Sequence, residues 1–156
     1  MTSPISAINA YAEGAFKQVP GLAGLHRMTE LLLAERVPEA GRVLVLGAGG
    51  GVELHNLAAT HPGWRLDGVD PSDSMLEAAH LATAAFGDRV ALHKGTIKDA
   101  PEGPYDGATS LLVFHFVPLA ERLETLRGLH RRLKPGAPLV LAHMSFVQDR
   151  KAVISG

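Results

Sequence analysis

The chain of 156 residues contains no cysteine. Disulfides and thiolate metal sites are therefore closed to it. No apolar run approaches the roughly 20 residues that cross a bilayer. Neither sign of charge dominates: 15 basic and 16 acidic residues leave a formal charge of −1. Without a basic field, neither nucleic acid nor an anionic membrane is an expected partner. The opening MTSPISAINAYAEG has no basic start and no long apolar core. No leader peptide is expected, and a soluble cytoplasmic protein is the default. HExxH and GxSxG are both missing, and the eight histidines show no metal-ligand spacing, so no metal is assigned. Internal repeats and low-complexity stretches are also lacking.

What remains is one domain's worth of chain, 46% hydrophobic, able to bury roughly 68–70% of its unfolded surface. Its organising stretch is Val43-Leu-Val-Leu-Gly-Ala-Gly-Gly-Gly-Val-Glu-Leu54. The apolar run 43–46 reads as a buried strand. Gly47, Gly49 and Gly51 follow at alternate positions, and Val52, Leu54, Leu57 and Ala58 then recur at helical spacing. Strand, glycine-rich turn and helix begin a Rossmann-like unit. Glycines permit a tight turn and close approach of a ligand to the backbone, and the amides opening the helix favour an anionic group. A second strand, about 64–70, ends in Asp70, where an acid can accept from both hydroxyls of a ribose. A dinucleotide fingerprint requires glycine at its sixth position, which here is Val52. That weakens a nicotinamide cofactor.

The rest of the chain alternates helices and strands. Helices are expected over 4–16 and 22–37. A helix follows the glycine turn as far as His61-Pro62-Gly63, and another opens at Pro71-Ser72-Asp73 and ends near Gly87. Strands are expected at 89–94, 106–113 and 138–143. An amphipathic helix from Pro118 to Lys134 has Leu119, Leu123, Leu126, His130 and Leu133 as its inward face, and a last helical piece starts at 148. Such alternation means an α/β fold, a doubly wound parallel sheet with strand order 3-2-1-4-5. Ligands bind such sheets beyond the carboxyl ends of the strands, where the order reverses. The two leading helices would lid that cleft or simply cover a sheet face.

Four segments, VLVLGAGGG (43–51), GVDPSDSML (68–76), YDGATSLLVFHFV (105–117) and LKPGAPLVLA (133–142), resemble the class I S-adenosylmethionine-dependent methyltransferases. They follow that family's order through most of residues 40–145. The resemblance implies S-adenosylmethionine as cofactor, S-adenosylhomocysteine as product and a small-molecule methyl acceptor. It implies that Gly47, Ala48, Gly49 and Gly51 hold the amino-acid end and that Asp70 takes the ribose. Pro71, Met75, Thr96 and Ile97 would lie around adenine, with Leu111 and Leu112 lining the cleft. Met75 reads equally as core filler. Thr96 stands where the family often has an acid, and Val45 where many relatives have an acid inside strand one. Glu53 is then either a substitute for that acid or an exposed first-turn acid favouring the helix dipole, the latter preferred. His115 is the base candidate or a histidine hydrogen-bonded in its loop. Tyr11, Phe16 and Phe116 would wall the acceptor pocket or belong to the core.

VPGLAGLHRM (19–28) and LLVFHFVPLAERLETLRGLHRRLKPGAPLVLAH (111–143) further resemble the subgroup containing carboxy-S-adenosylmethionine synthase. The domain is expected to span 1–156, with a helical cover at 1–38 and the core at 42–145. The class I fold usually continues with strands six and seven, and the residues after strand five are expected to be too few for both. Strand five would be an apolar edge. Either the chain is C-terminally truncated, the expectation favoured here, or a partner covers the edge, as in a homodimer. The competing expectation for function is a non-catalytic module that binds cofactor or partner without turnover.

Overall fold

The structure, a computed structural model, describes residues 21–144. The helices expected at 4–16 and from 148, with Tyr11 and Phe16, lie outside the described residues. Five parallel strands form one sheet: β1 (Arg42–Leu46), β2 (Arg65–Asp70), β3 (Val90–Lys94), β4 (Gly107–Leu111) and β5 (Leu139–Ala142), in the order β3-β2-β1-β4-β5. The helices are α1 (Leu22–Ala34), α2 (Val52–Thr60), α3 (Asp73–Thr83) and α4 (Leu119–Arg132). Short 3-10 segments occupy Ala84–Arg89 (kinked at Gly87), Ile97–Asp99 and Phe114–Phe116. The Rossmann-like order is as expected. Element ends differ by a few residues, most at α3, which gives way to a 3-10 segment after Thr83, and at α1, where Arg36 and Val37 instead donate to the Leu33 carbonyl.

The alternation of apolar side chains on β1 sorts the core into two layers. Val43 and Val45 join Leu33, Leu54, Leu57, Trp64 and Leu66 on one face. Leu44 and Leu46 join Val69, Tyr105, Ala108, Phe114 and Leu129 on the other. Helix α1 packs on β4, β5 and α2, so of the two readings offered for it, covering a sheet face is the one observed. Arg89 ties the end of α2 down by donating to the carbonyls of Ala58, His61 and Trp64. It thereby satisfies acceptors that a helix end leaves open.

The inward face expected for α4 is corrected. Thr125, Gly128 and Leu129 are buried, whereas Leu119 (72%) and Leu123 (56%) are exposed. Gly128 decides the rotation. A Cβ there would meet Ile97 Cγ1 at 2.7 Å, and only glycine lets the helix approach so closely. Arg132, one turn on, donates to the carbonyls of Gly128, Ala100 and Pro101. Strand β5 pairs with β4 alone among the described residues and is the sheet edge, with Leu141 39% exposed.

Candidate functional site

The strand order reverses between β1 and β4, so the segments leaving these two strands diverge and open a gap at the carboxyl end of the sheet. The glycine turn lines one side. Gly47 and Ala48 donate to the Val69 carbonyl at 2.8 and 3.0 Å. Gly47, Gly49 and Gly51 all have positive φ. At Gly47 a side chain would run into Val113, which crosses over the turn from beyond β4. At Gly51 a Cβ would lie 2.7 Å from the Ala79 Cα of α3. Close packing as well as conformation therefore requires glycine at both positions.

Asp70 is the junction of the site. It is 8% exposed, yet no side chain bonds to it among the described residues. One carboxylate oxygen accepts from Gly49 N–H at 3.0 Å and the other from Ser72 N–H at 2.9 Å. Its carbonyl accepts from Gly95 N–H at 3.1 Å. One residue thus joins the turns that follow β1, β2 and β3. Each carboxylate oxygen keeps a second lone pair. Ser72 caps α3 by accepting from Met75 N–H. Pro71 is exposed and Met75 half-buried beside it, and neither is core.

The turn after β3 holds Thr96, exposed, and Ile97, buried. The Ile97 side chain packs beneath Gly128 of α4. Asp99, not singled out in the sequence, folds back to accept from Thr96 N–H at 2.9 Å and lies over Gly95. The Thr-x-x-Asp spacing, a relative of the capping box, is the signal that would have found it.

Leu111, the last residue of β4, is buried, and Leu112 just beyond it has φ 59. A leucine in the left-handed region is strained, and such strain persists where the surroundings over-determine it. Here Leu112 N–H is held by the Ala142 carbonyl at 2.6 Å. His115 lies on the next turn, half-buried, its ring 4.2 Å from that of Phe116 and tilted by 43°. Phe116 is 79% exposed, which corrects its alternative assignment to the core.

Glu53 is also corrected. It is 9% exposed rather than open, and accepts from Thr109 Oγ1 of β4 at 2.5 Å. Burial pushes its carboxyl up to about 7, against the opposing effect of the Thr109 bond. Two cavities lie away from the strand ends. One, of about 220 Å³, is lined by residues of α1 and α2 including His26 and Glu30. The other, of about 350 Å³, lies between the end of α1 and β5. Neither includes any residue expected to bind cofactor.

The sequence profile of the methyltransferase domain matches residues 44–139. Carboxy-S-adenosyl-L-methionine synthase of Campylobacter fetus subsp. fetus is 20% identical over 149 residues, which make up 96% of this chain and 64% of that protein. The same enzyme of Campylobacter curvus is 22% identical over 80% of this chain and 53% of its own. The chain thus spans less than two thirds of the length of these curated relatives. Among solved structures, PKMT2 from Rickettsia typhi in complex with AdoHcy is 28% identical over 63% of this chain and 20% of its own, with a TM-score of 0.56. SAM-bound CalS10, an amino pentose methyltransferase from Micromonospora echinaspora, shares the fold at a TM-score of 0.73, 24% identical over 87% of this chain and 57% of its own.

Proposed function

Given that the chain belongs to the class I S-adenosylmethionine-dependent methyltransferase family, we propose that it binds S-adenosylmethionine across the β1–β4 gap and methylates a small molecule. Residues 1–156 would form one domain, with 1–38 its cover and 42–145 its core. The observation that carries this reading is Asp70, a buried acid whose side chain, among the described residues, bonds only to backbone amides of the turns around the gap. The near-balanced charge supports a small acceptor and a cytoplasmic setting.

When bound, S-adenosylmethionine supplies a sulfonium-activated methyl group, leaving S-adenosylhomocysteine as product. The chain's part is to bind, orient and exclude water. The turn Gly47, Ala48, Gly49 and Gly51 presents backbone to the amino-acid end. Asp70 accepts from the ribose hydroxyls with its remaining lone pairs. Pro71 and Met75 offer apolar surface to adenine, Thr96 a hydroxyl and Ile97 an amide. Leu111 and Leu112 keep water from the gap. His115, at the same end of the sheet, takes a proton from acceptors that must lose one.

Calorimetric titration with S-adenosylmethionine, S-adenosylhomocysteine and NAD, repeated on Asp70→Ala, tests the reading. Micromolar binding of the first two, none of NAD, and loss of both in the variant is the expected result. A folded chain that binds neither would sink it. Cofactor binding without methylation of any acceptor in a screen would leave a module that does not turn over.

A further inference from the structure

Glu53 stands out among the buried groups, because folding places an acid where an uncharged residue would cost less. It is the second residue of α2 and follows directly on the glycine turn. Thr109, fully buried, pairs in register with Val45 of β1. A carboxyl bonded to Thr109 therefore sits at the β1–β4 boundary, behind the turn that faces the gap. Among the described residues, the Thr109 hydroxyl is the one side-chain group bonded to it, and no cation pairs with it. The charged and titratable groups on the surrounding elements are His26, Arg27 and Glu30 of α1, His55 of α2, Arg42 of β1, Arg65, Asp67 and Asp70 of β2, Asp73, Glu77 and His80 of α3, and His115 beyond β4. Of these, Glu30 is engaged with Arg27 and His61, Arg42 with Asp67, and Asp70 with backbone amides. A buried carboxyl with one neutral partner is a counter-charge lacking its cation, in a place where a cationic ligand could supply it.

We propose that Glu53 is a positioning residue that makes the glycine turn prefer a cationic ligand, ionising when the sulfonium form of the cofactor binds and regaining a proton when the neutral thioether product replaces it. The inference rests on the cofactor reading above and adds to it a preference for substrate over product. The proton leaves for solvent on binding and returns from solvent after transfer, so charge balances at each stage. Thr109 holds the carboxyl against β4 and keeps it behind the turn. The ordinary role of a first-turn acid, interaction with the helix dipole, would affect charged and neutral ligands alike.

The test compares affinities for S-adenosylmethionine and S-adenosylhomocysteine between pH 6 and 8, in the full chain and in Glu53→Gln, which keeps an acceptor for Thr109. In the wild type, S-adenosylmethionine should gain about tenfold on S-adenosylhomocysteine as pH rises. In Glu53→Gln it should lose about tenfold at pH 8, with the product's affinity within about twofold and the pH dependence gone. Thr109→Val should shift the pH dependence to higher pH while leaving product binding in place. Equal weakening of both ligands by Glu53→Gln, or no change in their ratio, overturns the inference and leaves the cofactor reading standing. A folded wild-type chain that binds neither ligand overturns both.

Discussion

Strand β2 carries two buried acids that live in opposite ways. Asp67 and Asp70 are each 8% exposed. Asp67 is surrounded by side-chain donors: Arg42 Nη2 at 3.0 Å, His93 Nε2 at 2.9 Å and Tyr105 Oη at 2.8 Å, with Arg42 stacked on the Tyr105 ring. Burial pushes its carboxyl upward, but the bonds from His93, Tyr105 and Arg42 prevail and hold it below the usual carboxylate range. Burial, with the Asp67 bond, in turn raises the Tyr105 phenol. Asp70, three residues on, has a side chain bonded, among the described residues, only to backbone amides. One acid is enclosed by groups that exist to satisfy it. The other is held by turns, with one backbone donor to each carboxylate oxygen among the described residues. Burial alone does not separate the two acids; the nature of their partners does.

The comparison can be broken by mutation. Asp67→Ala leaves Arg42, Tyr105 and His93 without their shared partner and should cost about 3–5 kcal/mol of stability in thermal or urea unfolding. Its effect on cofactor affinity, among molecules still folded, should be small. If instead it abolished binding at unchanged stability, the contrast would be lost. A third acid sharpens it by sign. Asp67 has a folded-state pKa below its unfolded one, so its contribution is present above pH about 4 and is lost as pH falls through the folded value. Glu53 runs the other way. With a carboxyl raised from 4.5 to about 7, its contribution is complete below 4.5 and is lost as pH rises through 7. Glu53→Gln should therefore gain about 3 kcal/mol on the wild type between pH 4 and 8, read from urea midpoints across that range. Asp70→Ala should lower S-adenosylmethionine affinity about a hundredfold, near 2.7 kcal/mol, since hydrogen bonds to a charged group are the stronger kind. Two backbone amides, of Gly49 and Ser72, lose their acceptor but sit near the surface, so unfolding should register less than calorimetry does. The smallest change, Tyr105→Phe, removes one hydrogen bond to Asp67 and should cost about 1–2 kcal/mol, with cofactor affinity untouched.

The strand order, the glycine turn and Asp70 were legible because punctuation and period agreed. Pro62-Gly63, Pro71 and Pro135-Gly136 bracket apolar runs too short to be anything but strands or single helices. Faces were harder. Helix α4 has leucines on more than one side, and only the contact of Gly128 with Ile97 selects between them. A glycine inside a helix reads as weakness in one dimension and as proximity in three. Glu53 misleads for a related reason. An acid in a first helical turn ordinarily faces water, and nothing local to 51–54 reports that Thr109 of a distant strand waits beneath it. Asp67 gives no local signal, since its partners come from residues 42, 93 and 105 and assemble only once β1, β2, β3 and the chain entering β4 are side by side.

Leu112 gives the outermost strand a larger part than its place suggests. The loop that carries Val113 over Gly47 and leads to His115 leaves β4 through a backbone conformation leucine resists, and the bond that fastens it there comes from Ala142, the last residue of β5. The sheet's flank thus works as a tether. Anything that lies along β5, whether more of the same polypeptide or another molecule, pulls on the same cord that sets the far wall of the gap. The completeness of that edge and the shape of the site are one mechanical property.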